Sequence, residues 1–300
     1  MPKMKMKHVS LTMDEAFEDF INSKAAAGLA EKTLQTYHYH WQAISKYIDS
    51  GQAVEDLDSR QLEKMVADMR KASLAATSIN SYTRTMKSFL SWCNGRGLTE
   101  ANIKLYKAEE AVKVTYTDAE LKRLLKKPNM RHCGFTEYRN WTIINLLLNC
   151  GCRAATIRNI QVQDVDLKAA TIIYRHTKNG KVQVIPLCSS MVAVLREYIK
   201  IRDGGNTDYL FPNENGKQLT ESGLRQAIEK YNISRQVEKT SIHLFRHTYA
   251  QRYLQNGGNA FNLQKILGHS TLKMTKHYCD IYDAEICKDY DKLSPLAAFK

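Results

Sequence analysis

Two segments near the C-terminal end of the chain carry its most informative residues. They are S-I-H-L-F-R-H-T-Y-A at residues 241–250 and K-I-L-G-H-S-T-L-K-M-T-K-H-Y-C at residues 265–279. In the first segment His243 and Arg246 are three residues apart, so a helix places them on one face. A permanently charged guanidinium beside an imidazole is a combination suited to holding a phosphate group.

The second segment adds a bend and a tyrosine. Gly268 permits a helix-ending turn, so we expect His269 to lie in a bend between two helices. Tyr278 follows nine residues after this histidine, and one straight helix would place the two side chains on opposite faces. The bend lets both face one pocket. Together the two segments supply cations to hold a phosphate and a nucleophile to attack it.

Charge and composition indicate the kind of partner. The 300 residues are 43% hydrophobic and 25% charged, as in ordinary globular proteins, and the net charge is +13. Residues 101–300 carry +12 of this charge, which favours a polyanion such as nucleic acid. No apolar run has the length of a membrane span, and no signal peptide is recognised, so a cytoplasmic protein without a membrane partner is expected. The seven scattered cysteines do not form a metal-site pattern.

Hydrophobic periodicity predicts four short helices within residues 1–96, which form a compact N-terminal bundle. Its aromatic stripe favours a core over a base-stacking platform. A polar stretch at residues 97–115 is predicted to be a linker, and a capping box at Thr117 opens a second domain over residues 116–300. If the bundle binds DNA, the candidate contacts are four polar or basic side chains on its second and fourth helices: Lys32, Thr33, Arg84 and Lys87.

In the second domain the apolar pattern changes period. β-like runs at residues 171–174 and 181–185 flank Asn179-Gly180, which is a strong hairpin signal. With residues 165–167 they predict a small antiparallel sheet of about three strands, and the remaining segments predict helices. The expected fold class is mainly α with a small antiparallel β-sheet.

These motifs resemble those of the tyrosine recombinase (phage integrase) family. The resemblance rests on His243-Leu-Phe-Arg246, Leu267-Gly-His269-Ser and Tyr278, at the family's spacings. The family also has a Gly-x-Arg after an apolar helix and a lysine in a β-hairpin before a Val-Ile-Pro-Leu strand. Both are present, as Gly151-Cys-Arg153 and as Lys178 before residues 184–187. The resemblance covers the whole chain, and it implies a SAM-like helical DNA-binding domain followed by an α+β catalytic domain.

The catalytic roles follow from the resemblance. Two arginines would clamp the non-bridging phosphate oxygens, one histidine would donate a hydrogen bond and the other would act as base. The tyrosine would attack to form a 3′-phosphotyrosyl bond, and the lysine would protonate the 5′-oxygen. No cofactor or metal is expected, because these cations replace a metal clamp. The implied catalytic residues are Arg153, Lys178, His243, Arg246, His269 and Tyr278.

The chain departs from the family pattern at one position and leaves one residue open. Thr156 replaces the glutamate that usually follows the first arginine, which can alter the orientation of Arg153. Lys181 lies in the same hairpin as Lys178, so the general acid is assigned to Lys178 by motif position.

The resemblance implies a site-specific DNA recombinase that acts as a homotetramer on paired double-stranded DNA sites through a Holliday junction. The C-terminal tail at residues 280–300 would dock on a neighbouring protomer, although it could equally fold back in cis. Accessory DNA-bending proteins are further expected partners. The expected role is integration or excision of a mobile element, with chromosome dimer resolution and inversion left open. The alternatives are a catalytically impaired DNA-binding regulator and a topoisomerase or telomere resolvase.

Overall fold

The computed structural model describes residues 10–106, 114–177 and 180–269, together with Thr271 and Thr275. The chain divides into two compact units, one that ends at residue 111 and one that begins at residue 112.

The N-terminal unit is a helical bundle whose first and third helices begin with complete capping boxes. Thr12 accepts a hydrogen bond from the backbone of Glu15, and Glu15 bonds back to the Thr12 backbone. Asp58 and Gln61 form the same arrangement. Such caps satisfy amide groups that a helix start leaves without partners. The helices are α1 (Met13–Ala26), α2 (Glu31–Ile44), α3 (Ser59–Lys71) and α4 (Ala76–Asn94).

Helix α2 is four residues shorter than its apolar pattern predicts, since it ends at Ile44 and not at Ile48. Ser45 Oγ donates to the Trp41 carbonyl, 2.9 Å away, and the chain continues as turns. Ile48 still packs on the core from the turns beyond the helix, so hydrophobic spacing by itself does not mark where α2 ends.

Aromatic rings form the core of the N-terminal unit. Phe17 stacks on Trp41 with ring centroids 4.1 Å apart, and Phe20 and Phe89 meet Phe17 at 5.8 Å. Trp41 is 7% exposed, and its indole N–H donates to Asp14. The prediction that the aromatic stripe is core is therefore confirmed.

The first part of the predicted linker packs on this core. Ala101 and Ile103 are buried in it, and Thr99 Oγ1 donates to the Leu57 carbonyl at 3.2 Å. Burial of these small apolar groups makes residues 98–103 part of the N-terminal unit.

The second unit combines helices with one small sheet. Thr117 and Glu120 form the predicted capping box. The elements are α5 (Asp118–Leu125), α6 (Phe135–Cys150), α7 (Ala154–Asn159), β1 (Val165–Asp166), β2 (Thr171–Tyr174), β3 (Gln183–Pro186), α8 (Ser189–Arg202), α9 (Glu221–Ser234), α10 (Ile242–Gln255) and α11 (Ala260–Leu267).

The three strands are antiparallel in the order β1-β2-β3, so the fold class predicted from the sequence is confirmed. In the β2–β3 hairpin Ile172 pairs with Ile185 and Tyr174 pairs with Gln183. Strand β3 starts two residues later than expected, because Thr177 Oγ1 donates to the carbonyl of Lys181 at 2.7 Å.

Helix α6 runs through the centre of the second unit and packs against α8, α9 and α10. Its apolar side chains are buried on several sides, including Ile143, Ile144 and Leu147 at 0% exposure. Along the described ranges, no helix is both long and apolar enough to cross a membrane.

Candidate active site

Two arginines from distant parts of the chain converge on the C-terminal end of α11. Arg246 Nη2 donates to the Leu267 carbonyl at 2.8 Å, and Arg153 Nη1 donates to the same oxygen at 3.3 Å. The last carbonyls of a helix have no partners within the helix and carry partial negative charge, so they attract cations. One shared oxygen thereby brings two guanidinium groups together beside His269.

Arg246 also holds the end of α6. Its Nη1 donates to the Gly151 carbonyl at 2.9 Å, and the whole residue is only 7% exposed. A guanidinium carries five N–H donors in a rigid fork, which lets one side chain bridge two helix ends. Arg246 is therefore fixed in orientation before any ligand arrives.

Only glycine fits at residue 151, whose carbonyl accepts the hydrogen bond from Arg246. Its φ is +58°, in the left-handed region that ends helices and favours glycine. A Cβ at this position would lie 2.5 Å from Tyr249 Cδ1 and 2.9 Å from Leu267 Cδ2. The Gly-Cys-Arg motif thus meets two needs, a left-handed turn and close packing against α10 and α11.

Arg153 lies at the start of α7 and is less tightly held than Arg246. Besides its bond to Leu267, its Nη2 donates to the Gly268 carbonyl at 3.4 Å. Partial burial lowers the pKa of its guanidinium from the usual value, but an arginine remains charged near neutral pH. Thr156, which stands where the family usually has glutamate, is buried on α7.

His269 follows the left-handed Gly268, whose φ of +62° confirms the predicted helix-ending bend. The ring Nδ1 lies 2.9 Å from Oγ1 of Thr275, a fully buried residue. Burial, followed by the charges of Arg246 and Arg153, lowers the pKa of His269 to about 4. The ring is therefore neutral near pH 7. When the threonine hydroxyl donates to Nδ1, the hydrogen sits on Nε2, which can donate to a phosphate oxygen.

Helix α10 carries two further histidines, His243 and His247, in different surroundings. His243 is exposed in the first turn of the helix, on the same helix as the buried Arg246. His247, which the motif leaves without a role, is close enough to His269 to contribute to lowering its pKa.

Several predicted residues lie outside the described part of the chain. They are Lys178, Tyr278 and the tail at residues 280–300. Lys181 is described, and it is exposed beside the turn that Thr177 closes.

The four candidate DNA contacts are exposed side chains of the N-terminal unit. Lys32 and Thr33 lie in the first turn of α2, and Arg84 and Lys87 lie one turn apart on α4. They remain predictions. Within the described ranges, no group of three or more His, Cys, Asp or Glu residues could hold a metal ion.

Sequence reasoning missed the residues that brace this site. Gln183 Nε2 donates to the Lys265 carbonyl at 2.9 Å, and Tyr174 Oη lies 2.8 Å from Cys150 Sγ. The inward-facing alternation of β2 and β3 could have placed both side chains toward the helices, but not on these partners. No sequence pattern marks Thr275, because its importance comes only from its contact with His269.

Chemically, the described site presents two guanidinium groups and one neutral imidazole around a single helix end. Such an arrangement can bind and polarise a phosphodiester without a metal ion.

Comparison with known families agrees with this geometry. The Phage integrase family matches residues 115–285, which is more than half of the chain and contains all of the site described above. The chain belongs to the phage integrase family. The family's N-terminal SAM-like domain matches residues 16–97, so the predicted family and enzyme class are confirmed.

Similar proteins span nearly the whole chain. Tyrosine recombinase XerD from Staphylococcus haemolyticus is 25% identical over 95% of this chain and 99% of its own length. Tyrosine recombinase XerC from Chromobacterium violaceum is 26% identical over 95% of this chain and 96% of its own length. The similarity therefore includes both units.

Two solved structures share the fold. The Tn1549 transposon integrase in complex with a circular intermediate DNA has a TM-score of 0.76 at 20% identity, covering 90% of this chain and 95% of its own. A lambda integrase tetramer bound to a Holliday junction has a TM-score of 0.72 at 17% identity, covering 90% of this chain and 78% of its own.

Proposed function

We propose that this protein is an active site-specific DNA recombinase that cleaves and rejoins DNA through a 3′-phosphotyrosyl intermediate. The observation that carries the proposal is the convergence of Arg153, Arg246 and His269 at the end of α11. Three donors in fixed positions match the charge that develops on the oxygens of a phosphodiester under attack.

In the cleavage step, the Tyr278 phenol oxygen forms a bond to phosphorus and the bond to the 5′-oxygen breaks. The phenol proton passes to His243, and Lys178 gives a proton to the departing 5′-oxygen. Arg153 and Arg246 hold the non-bridging oxygens, and His269 donates to one of them. Rejoining is the reverse reaction with a 5′-hydroxyl from another strand. The covalent bond keeps the energy of the phosphodiester, so no nucleotide cofactor is consumed.

The proposed assembly is a homotetramer on two double-stranded DNA sites, with exchange through a Holliday junction and the C-terminal tail docked on a neighbour. The lambda integrase tetramer on a Holliday junction supports this arrangement by similarity of fold. The proposed biological role is integration or excision of a mobile element in the cytoplasm, which the likeness to the Tn1549 transposon integrase supports. Accessory DNA-bending proteins belong to the same proposal. In the N-terminal unit, Lys32, Thr33, Arg84 and Lys87 would contact DNA.

The test begins with selection of bound sites from a random duplex library. A selected site is then nicked close to the cleavage position, so that a short fragment diffuses away and traps the covalent complex. We expect a denaturant-resistant adduct on the 3′ side, which peptide mass spectrometry assigns to Tyr278. Tyr278→Phe should bind with unchanged affinity and form no adduct, whereas Tyr253→Phe, a control on α10, should form it normally.

Each contrary result favours a different alternative. Binding without any adduct from the unchanged protein would favour the catalytically impaired regulator. An adduct that persists in Tyr278→Phe would show that another residue is the nucleophile. Relaxation of supercoiled DNA without sequence preference would favour a topoisomerase.

A further inference from the structure

The imidazole of His269 is held by the protein at one of its two ring nitrogens. Nδ1 lies 2.9 Å from Oγ1 of Thr275, which is completely buried, while the ring itself is half-buried. The backbone of the histidine is fixed as well. Its amide donates to the Gln264 carbonyl at 3.0 Å, and its carbonyl accepts from Gln264 Nε2 at 3.3 Å. Nδ1 is thereby engaged within the protein, and Nε2 is the nitrogen that can serve a ligand.

The contact at Nδ1 can be made in two directions. A neutral imidazole carries one hydrogen, on either nitrogen, and a hydroxyl can donate or accept. If Thr275 donates, the hydrogen of the ring is on Nε2. If Nδ1 donates to the threonine oxygen, Nε2 has only a lone pair, which repels the oxygens of a phosphate. The direction of this one hydrogen bond therefore decides whether His269 can help to bind a phosphate.

A ring that is protonated on both nitrogens is disfavoured at this position. Burial, followed by the charges of Arg246 and Arg153, lowers the pKa of His269 to about 4. The two guanidinium groups come close because both donate to the Leu267 carbonyl, two residues before the histidine. Near pH 7 the ring therefore has a single hydrogen, and a neighbouring group must select the nitrogen that carries it.

Two effects favour donation by the threonine. Its hydroxyl hydrogen rotates to suit its partner, so it can point at the lone pair of Nδ1 without any movement of the backbone. Donation to Nδ1 also polarises the ring and strengthens Nε2–H as a donor, because linked hydrogen bonds reinforce one another. A phosphate bound by Arg153 and Arg246 would then complete a chain of hydrogen bonds from the buried hydroxyl, through the ring, to a non-bridging oxygen.

We propose that Thr275 is a positioning residue that holds the His269 ring and fixes its hydrogen on Nε2, so that the imidazole meets the scissile phosphate as a hydrogen-bond donor. The inference rests on the proposed function, because it assigns Thr275 a task in that reaction. Thr275 acts through the histidine and does not touch the reacting atoms. Loss of one preorganised donor at such a site costs about 10²–10³-fold in rate, and a displacement of about 1 Å can cost about 10²-fold.

The first measurement locates the ring hydrogen in the full chain without DNA. Nitrogen NMR spectra of the labelled protein separate a ring nitrogen that carries hydrogen from one that does not, and the signals missing from His269→Gln identify this ring. At pH 7 we expect the hydrogen on Nε2 in the unchanged protein and in Thr275→Ser, which keeps the hydroxyl. Thr275→Val keeps the shape but removes the hydroxyl, so it should show a mixture of both tautomers.

The second measurement is single-turnover DNA cleavage at saturating protein. Thr275→Val should cleave about 10-fold more slowly, because the ring loses both its orientation and its fixed hydrogen. Thr275→Ser should remain within about 2-fold of the unchanged protein. Thr142→Val is the matched control, since Thr142 is a completely buried threonine of the same unit whose hydroxyl donates to the Tyr138 carbonyl within α6 at 2.9 Å. It should cleave at the unchanged rate.

A double change separates positioning of the imidazole from general damage to the fold. In a His269→Gln background there is no ring to orient, so the addition of Thr275→Val should slow cleavage by less than about 2-fold. A threonine that only stabilises the fold would instead slow cleavage equally in both backgrounds.

Three results would overturn the inference. They are a hydrogen on Nδ1 in the unchanged protein, cleavage at full rate by Thr275→Val, and an equal loss from this change with and without the imidazole. If Thr275→Val fails to fold, Thr275→Cys replaces it in both measurements, because a thiol is a much weaker donor than a hydroxyl.

Failure of the proposed function gives a different pattern. If the unchanged protein forms no covalent adduct with DNA, the recombinase reaction and the inference fail together. If it forms the adduct but His269→Gln cleaves at full rate, the imidazole is not a donor to the phosphate, and that role fails with the inference. If His269→Gln is slow while Thr275→Val is not, the proposed function stands and the inference alone fails.

Discussion

Helices α6 and α11 end in the same way, at a glycine in the left-handed region, with φ of +58° at Gly151 and +62° at Gly268. Their contacts are reciprocal. Gly151 accepts a hydrogen bond from Arg246, which belongs to the segment before α11, and Gly268 accepts one from Arg153, which follows α6. The turn after α6 thereby orients Arg246, and the turn after α11 orients Arg153.

The two turns differ in what surrounds them. A Cβ on Gly151 would meet the Tyr249 ring and Leu267, which are buried, whereas a Cβ on Gly268 would meet the amide end of Gln183. A packed ring cannot move aside cheaply, but the end of a glutamine can. The α6 turn is therefore set by the core, and the α11 turn is set by a side chain of the hairpin.

The largest effect is expected at Arg246, because it alone of the two arginines bonds to both turns. Arg246→Lys should lower the single-turnover cleavage rate by about 10²–10³-fold, since a compact ammonium lacks the planar fork that spans two helix ends and still presents donors to a phosphate. Arg153→Lys should lose about 10-fold, because its bonds of 3.3 and 3.4 Å reach only the α11 turn. Equal losses, or the opposite order, would contradict the comparison.

Gly151→Ala should be the most destabilising change in either turn. Left-handed strain of about 1–2 kcal/mol adds to overpacking of about 1–3 kcal/mol against Tyr249 and Leu267. We expect the free energy of unfolding of the second unit to fall by about 3 kcal/mol in urea titrations. Gly134→Ala is the control, because Gly134 precedes the same helix with no atom within 4 Å of its Cβ position. If Gly134→Ala lost as much unfolding free energy as Gly151→Ala, contact with Tyr249 and Leu267 would not be the cause of the loss.

The site between the turns should make stability depend on pH through His269. Its pKa is lowered to about 4 in the folded protein, against about 6.5 in an unfolded chain, so the unfolded state binds the proton more readily. Its contribution is constant above about pH 6.5, and stability decreases as the pH falls from there to about 4.

In His269→Gln, the unfolding free energy should fall by roughly 2 kcal/mol less between pH 6.5 and pH 4 than in the unchanged protein, with allowance for partial exposure of the ring. The measurement is the difference in unfolding free energy between the two proteins from pH 8 to pH 4. A difference that does not change over this range would show that neither burial nor the two arginines lowers the pKa of the imidazole.

The smallest effect is expected for Gly268→Ala, at about 1–2 kcal/mol of unfolding free energy. Most of it is backbone strain, because Gln183 can move. Gly257→Ala isolates that strain, since Gly257 has φ of +83° and no atom within 4 Å of its Cβ position. When Gly268→Ala is made in the Gln183→Ala background, its added loss should match the loss of Gly257→Ala in the unchanged protein within a few tenths of a kcal/mol. A Gly268→Ala loss as large as that of Gly151→Ala would show that the α11 turn is also set by the core.

Local signals allowed the elements of both units to be predicted. The capping box at Thr117, the Asn-Gly hairpin and the aromatic stripe of the first bundle depend on residues a few positions apart. The end of α2 was misplaced because Ile48 packs on the core from the turns beyond the helix and so continues the apolar spacing. The burial of Ala101 and Ile103 was missed because short apolar residues in a polar stretch show no periodicity.

The sequence by itself determined the helices, the hairpin, the glycines at two helix ends and the family to which the chain belongs, because these depend on local spacing and motif. Only the tertiary structure decided that Arg246 is buried, that Arg153 and Arg246 share the Leu267 carbonyl, and that His269 is neutral. The partners in these contacts are backbone carbonyls as many as 114 residues away in the chain. Every residue has such a carbonyl, so no side-chain pattern marks which one a distant arginine will reach.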